Sequence, residues 1–328
     1  MSAPVREMEQ SSPEDSLISN RGHAGDAIFK GISVGSGLLI LVILAAVAFF
    51  LLSEAMPAFT TPAEDLPSGN TLLYVVPYLF GTVWSSFLAL LIAVPVAVGI
   101  ALYISHYAPK RLSTPIAFII DLLAAVPSVV FGLWGIMTLA PMMVPVYTWL
   151  NKHLGFIPLF SGTVATSGRS MLTAALVLAI MILPIITSLS REVFLRTPKL
   201  QEEASLALGA TRWEMINQVV FPFGRSGIVS ASMLGLGRAL GETMAVAMVL
   251  SPANVINFQL LTSQNPNTIA ANIANTFPEA GQLTVSQLLA TGLVLFVLTF
   301  VVNMAGRAIT GKKSSFGVAK RAGKEDEE

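Results

Sequence analysis

Six stretches of this chain are too long and too apolar to be elements of a soluble domain. They fall at about residues 29–53, 78–105, 114–140, 170–190, 226–250 and 284–308. Crossing a bilayer takes roughly 20 mainly apolar residues in helical form, and each stretch is long enough. In lipid every backbone N–H and C=O must be paired within the protein, which leaves helices or closed barrels. The runs are continuous, without the alternation of a membrane barrel, so helices are predicted. The composition agrees. Apolar types make up 54% of the 328 residues and charged types 12%, about half the charged share of a soluble domain. The expected fold class is all-α integral membrane, with about six transmembrane helices.

Several function classes drop out. Lys and Arg balance Asp and Glu at 19 each, so no basic field points to nucleic acid; membrane lipid is the expected surrounding. The absence of Cys excludes disulfides and thiolate metal sites. His23, His106 and His153 are far apart and suggest no ligand cluster, so no metal site is expected. The first apolar run, about Ile32 to Leu52, is long for a signal core and lacks a clear small-residue cleavage site. It is expected to be retained as a helix.

The positive charges set an orientation. Arg6, Arg21 and Lys30 precede the first run, and Lys110 and Arg111 follow the second. Arg191, Arg196, Lys199, Arg212 and Arg225 follow the fourth, and Arg307, Lys312, Lys313, Lys320, Arg321 and Lys324 follow the sixth. The other connections hold only Lys152 and Arg169. The positive-inside rule then predicts both termini in the cytoplasm, which requires an even number of spans. Residues 1–27 and 311–328 read as disordered cytoplasmic tails around a membrane domain at 28–310. No internal repeat is evident.

Two outer connections carry features. Pro141 to Arg169 combines Pro145, Gly155, Pro158 and Gly162 with Tyr147, Trp149 and Phe156, and Trp and Tyr favour the membrane interface. Ser251 to Leu283 is rich in Asn and Gln, with a short helix expected near Asn267 to Thr276. Either could receive an external partner or be an ordered surface loop.

The inner connection at 191–225 is the longest. Thr197-Pro198 suits a helix start, with Thr as cap and Pro at the first helical position. Glu202 and Glu203 follow where carboxylates favour the helix dipole. Leu200, Ala204, Ala207 and Leu208 form one apolar stripe, and Gly209 is placed to end the helix. A second short helix is expected from Thr211 to Pro222, with Trp213, Ile216 and Val220 on one face. Two short amphipathic helices could present a knob to a groove in another protein, or fold back as a hairpin on their own bundle.

The fifth run contains Gly235-Leu236-Gly237-Arg238-Ala239-Leu240-Gly241-Glu242-Thr243. Arg238 is expected near the middle of a helix, where it costs about 2.5–3.5 kcal/mol on insertion scales and must face the bundle interior or water. Glu242 is one turn on, and the two could pair on the same face. Gly237, Gly241 and Ala245 form a row of small residues that permits close helix approach. The pair could fix packing alone, or Arg238 could line the pathway of an anionic substrate, its fork suiting an oxyanion. Asp121, in the third run, is a weaker pathway candidate that could simply bind backbone groups or water. Pro95, Pro127 and Pro184 interrupt three predicted helices.

Glu203-Ala204-Ser205, then Gly209, then Val219-Val220-Phe221-Pro222 match the spacing of the ATPase-docking loop of ABC importer permeases: E-A-A, three residues, G, nine residues, I-x-L-P. Ser205, Val219 and Phe221 depart from it mildly. Gly237 to Val246 resembles the hallmark of phosphate-specific permeases of the PstC type. Ala125 to Gly132, Leu91 to His106 and Thr268 to Ala271 resemble other segments of that family, and the resemblance covers about residues 26–310. It implies a type I ABC importer (MetI-like) permease fold in a bacterial or archaeal plasma membrane. The implied partners are a second permease of the PstA type, an ATPase dimer of the PstB type and an extracytoplasmic phosphate-binding protein of the PstS type. It implies ATPase coupling through Glu203, Ala204, Ser205, Gly209, Ala210 and Arg212, and phosphate passage at Arg238 and Glu242. The chain has no G-x-x-x-x-G-K-[ST] loop. No catalytic residue or bound cofactor is therefore expected here, and ATP and magnesium would sit in the ATPase subunit. Rival readings are a sulfate or molybdate permease, an ion-coupled transporter or channel, and a membrane scaffold.

Overall fold

The computed structural model describes residues 13–311. Among these, six helices are long and apolar enough to cross a membrane: 28–60, 71–107, 128–154, 171–195, 212–240 and 282–308. The described chain divides into two units, one ending at Ser53 and one beginning at Glu54. The first is most of helix α1 (Pro13–Thr60), which is apolar on all sides through its membrane segment. Residues 13–27 were expected in the disordered tail but are helical; residues 1–12 and 312–328 of the expected tails lie outside the described residues.

The second unit is built around a close pair of helices. Helix α2 (Thr71–Leu102) starts at Asn70, whose side chain accepts the Leu72 N–H at 2.9 Å. Helix α6 (Met171–Leu195) packs against α2 more extensively than any other two elements pack. Residues Ala89, Ala93, Ala97 and Ala101 make the reason plain: they recur every fourth position on α2 and are all fully buried. A ridge of methyl groups lets the partner backbone come close, which in lipid is the main source of helix association. Against α6 also pack α9 (Phe221–Leu240) and, at its lower half, α3 (Lys110–Ala124).

The third predicted span is displaced. Residues 114–140 are not one helix: α3 ends at Ala124, and α4 (Ser128–Trp134) starts after Pro127, which is extended with ψ 139°. A residue before proline is pushed out of the helical region, so the chain turns at Val126-Pro127. The crossing helix runs from Ser128 through α4 and α5 (Ala140–Leu154). Asp121 therefore lies on the short amphipathic α3, not in a span, and Pro145 lies inside a helix rather than in a loop.

Two prolines that looked like helix stops are passed. Pro141 and Pro222 each follow a turn widened to an i→i−5 pattern, at Gly135–Leu139 and Ile216–Val220. In both, the residue before the proline closes the wide turn: Ala140 N–H bonds to Gly135 O and Phe221 N–H to Ile216 O. A proline in a regular helix loses one N–H bond and clashes with the carbonyl four residues back. Widening the preceding turn displaces that carbonyl. A third wide turn, Tyr103–Tyr107, closes α2 just before Pro109, where the helix does end.

The outer predicted helix is found as α11 (Ile269–Thr276), capped by Thr268, whose hydroxyl accepts the Ala271 N–H at 3.3 Å. The polar segment around it is tied to the bundle. Thr82 Oγ1 accepts the Ile269 N–H at 2.9 Å, Asn272 donates to the Tyr74 hydroxyl at 2.9 Å, and fully buried Asn265 accepts the Met171 N–H at 3.0 Å. It is an ordered part of the bundle end. Helix α12 (Gln282–Gly311) closes the unit against α9 and α2.

Candidate functional site

The fifth span was expected to run unbroken over 226–250. It stops at Leu240, and after Gly241-Glu242-Thr243 a separate helix α10 begins (Met244–Val249). The register on α6 fixes the depth of this break. Gly224 of α9 abuts Phe194 near one end of α6, and Gly235 abuts Ile186 and Ile182 near its middle. Arg238, one turn further, is carried to the central third of the bundle.

Arg238 and Glu242 are thus not stacked on one helical face. Arg238 occupies the last turn of α9. Glu242 is buried, and its Oε1 accepts the Ala245 N–H at 3.1 Å, in the first turn of α10. Among the described residues no ion pair or hydrogen bond joins their side chains. Each sits at the helix end its charge favours: a cation at a C-terminus, an anion at an N-terminus. That is worth about 0.3–1 kcal/mol per charge, less than the cost of holding an arginine at this depth.

The expected row of small residues is also divided. Cβ atoms built at Gly237 would meet nothing within 4 Å, and at Gly241 only the Gly237 carbonyl at 3.7 Å. This side of the break, flanking Arg238, faces away from the chain's own helices. Ala245, by contrast, packs on α4: a Cβ at Gly132 would come 2.9 Å from its Cα.

Asp121 belongs elsewhere. It accepts the Ser188 hydroxyl at 2.7 Å, linking α3 to the part of α6 beyond Ile182. No hydrogen bond or ion pair among the described residues connects it to Arg238.

The second candidate region is the connection after α6. Helix α7 (Lys199–Ala207) has no buried residue. Thr197 does not cap it; its buried hydroxyl has no hydrogen-bond partner among the described residues, and Pro198 takes the cap position. Gly209 ends it as expected, at φ +90°, a conformation open mainly to glycine. The bonds Gly209 N–H to Leu206 O and Ala210 N–H to Ser205 O complete the stop. Leu200 and Leu208 are 79% and 89% exposed. Glu203, Ala204 and Arg212 are exposed, and Ser205 and Ala210 are half-buried. The stripe of α7 therefore faces solvent rather than its own bundle, whereas the second predicted helix packs its Ile216 and Val220 against Phe194 and the end of α2. The second short helix, α8 (Arg212–Met215), is fixed by a reciprocal cap between Thr211 and Glu214. It does not stop at Pro222 but runs on through the wide turn into α9, so the second half of the predicted motif lies on one continuous rod, while the first half, on α7, is set apart from it by the break at Gly209. Ile216 and Val220 are buried on the rod, while Trp213 is exposed.

Two contacts were not legible in the sequence. His106, set aside as isolated, lies 3.6 Å from Glu202 of α7. Arg169 donates to the Leu250 carbonyl at 2.8 Å, closing the far end of α10. Both join segments distant along the chain, and no local pattern announces them.

Residues 93–314 match the family described as binding-protein-dependent transport system inner membrane component. The chain is 47% identical over 302 residues to the phosphate transport system permease protein PstC 2 of Mycobacterium tuberculosis, covering 88% of this chain and 93% of that one. It is 40% identical to PstC of Xylella fastidiosa strain Temecula1 (88% and 91% covered) and 38% identical to PstC of Haemophilus influenzae (88% and 93%). Among solved structures, a chain of a bacterial alginate ABC transporter in complex with a pentasaccharide-bound periplasmic protein superposes with a TM-score of 0.61 at 15% identity, covering 88% of this chain and 96% of that one. The fold is that of MetI-like ABC importer permeases.

Proposed function

The chain belongs to the family of binding-protein-dependent transport system inner membrane components, and from that membership we propose that it is the PstC-type permease subunit of an ATP-driven importer of inorganic phosphate. The observation that carries the substrate is Arg238: a guanidinium at the end of a helix broken in mid-bundle, with no carboxylate of the described residues paired to it and an open face beside it. A broken membrane helix is a common way to build a substrate site at the midplane, and a planar fork of donors suits a tetrahedral oxyanion. The relatives named as phosphate permeases supply the choice of oxyanion.

On this reading the open face is completed by a second permease of the PstA type, so that the pathway runs between two chains. A PstS-type binding protein delivers phosphate from outside, and both termini of this chain are cytoplasmic. The exposed stripe of α7 seats in a PstB-type ATPase, which binds ATP and magnesium. When ATP draws the ATPase pair together, α7 moves with it and the bundle opens outward; phosphate is drawn transiently to Arg238. Hydrolysis restores the inward state. Glu242, in this scheme, holds the break in shape through the Ala245 N–H. The membrane domain at 28–310, with its coupling segment at 191–225, is the working unit.

The test is ATP-dependent uptake by the reconstituted complex, with phosphate, sulfate and molybdate compared. Phosphate uptake that exceeds the other two and stops without ATP is expected. Preference for sulfate or molybdate would reassign the substrate, and uptake without an ATPase would replace the importer reading with a channel or ion-coupled transporter.

A further inference from the structure

Glu202 is the one acidic residue of α7 that turns back toward the bundle. Its carboxylate and the His106 ring, 3.6 Å apart, are 20% and 10% exposed, on a helix otherwise given to solvent. His106 sits in the wide turn that closes α2. Its Nδ1 is 2.7 Å from Ser105 Oγ, and its ring meets Phe194 edge-on with centroids 6.5 Å apart. Phe194 is fully buried in the last turns of α6 and meets Phe221, the first residue of α9, at 6.1 Å. One imidazole thus touches α7, the end of α2 and the end of α6, and through Phe194 reaches the foot of the helix that carries Arg238.

The Ser105 hydroxyl bears on which ring nitrogen carries a proton. If the Ser105 hydroxyl donates to Nδ1, the neutral ring carries its proton on Nε2, facing Glu202. If the hydroxyl instead donates to the Leu102 carbonyl, 3.3 Å away, Nδ1 donates to Ser105, and Nε2 presents an N–H to the carboxylate only when the ring carries both protons. The most extensive packing of α7 is on α8 and the wide turn at 216–220, and among the described residues Glu202–His106 is its one contact between a carboxylate and a basic side chain within 4 Å.

We infer that His106 is a positioning residue that passes displacement of α7 to α2 and α6 through Glu202, in parallel with the chain connection at Arg196 to Pro198. This rests on α7 being the ATPase-docking helix. Coupling between sites is shown by two elements that respond together, not by adjacency, and a double-mutant cycle measures it. The complex with its copurified ATPase is placed in liposomes, and inorganic phosphate taken up per ATP hydrolysed is measured for His106→Leu, Glu202→Gln, the double variant and His106→Gln, which keeps a side-chain N–H donor.

Each of the first two is expected to lower the ratio about tenfold, with the double variant no worse than either, because both remove the same contact. His106→Gln is expected to recover most of the ratio, which a purely space-filling role of the ring would not give. Singles within about twofold of wild type, or a double variant showing the product of the two losses, overturn the relay while leaving the docking role of α7 standing. Absence of an ATPase from the wild-type preparation overturns both together.

Discussion

Arg238 and Glu242 are separated by the end of a helix: the arginine closes α9, and the carboxylate, across the break, takes the Ala245 N–H at 3.1 Å and opens α10. A pairing that the spacing allows on a continuous helix is replaced by two separate placements. The cation ends α9 beside the open space at Gly237, and the anion caps α10.

Arg238→Ala is expected to reduce ATP-dependent phosphate uptake to background while the complex still assembles. Arg238→Lys retains the charge but not the fork, and a fall of about tenfold is expected, the loss of one charge-assisted hydrogen bond. Uptake by Arg238→Ala equal to that of the parent would remove the residue from the pathway. The measurement is initial rate in proteoliposomes, with subunit composition checked on the same preparation.

Glu242 separates capping from charge. Glu242→Gln keeps an oxygen for the Ala245 N–H and is expected to leave thermal stability in detergent near the parent value. Glu242→Ala removes the cap and is expected to destabilise by about 1 kcal/mol. Equal destabilisation by both would mean the charge, not the acceptor, holds the junction.

Leu200 and Leu208 stand on the exposed stripe of α7. Leu200→Asp and Leu208→Asp are expected to leave the folded chain within about 0.5 kcal/mol of wild type, as exposed substitutions do, yet to release the ATPase. Copurification at parental stoichiometry in both variants would count against α7 as the docking element.

Gly132 and Gly237 form a matched pair. A Cβ at Gly132 would lie 2.9 Å from the Ala245 Cα, whereas one at Gly237 would meet nothing. Gly132→Ala is expected to cost about 1–3 kcal/mol through overpacking and Gly237→Ala to leave the isolated chain unharmed. Loss of the second permease from the Gly237→Ala complex would identify the open face as the permease interface.

Asp121→Asn preserves an acceptor for Ser188, and uptake within about twofold of wild type is expected, as for exposed substitutions. A loss comparable to that of Arg238→Ala would return Asp121 to the pathway.

What the sequence conveyed follows from the physics of lipid. The number of spans, their helical form and the short helix ended by Gly209 are consequences of local composition, since a backbone in hydrocarbon has few options and a positive φ has a preferred residue. The third span was misplaced because apolar residues run on from Ile116 past Pro127; hydrophobicity does not say where along such a run the membrane begins. The stops expected at Pro141 and Pro222 failed because a wide turn, set by the residues before the proline and the helices around them, took up the missing bond.

The sequence by itself determined that this is a helical membrane protein, that Arg238 and Glu242 lie in its fifth hydrophobic segment, and that a short amphipathic helix ended by Gly209 follows the fourth. Only the tertiary structure decided that the fifth segment is broken between the two charges and that Glu202 meets His106. The break is held by packing of Ala245 on Gly132 and by one carboxylate-to-backbone bond, and the Glu202–His106 contact joins elements far apart along the chain. Neither leaves a local pattern, because each depends on which helices the small residues of α2, α4 and α9 allow to approach.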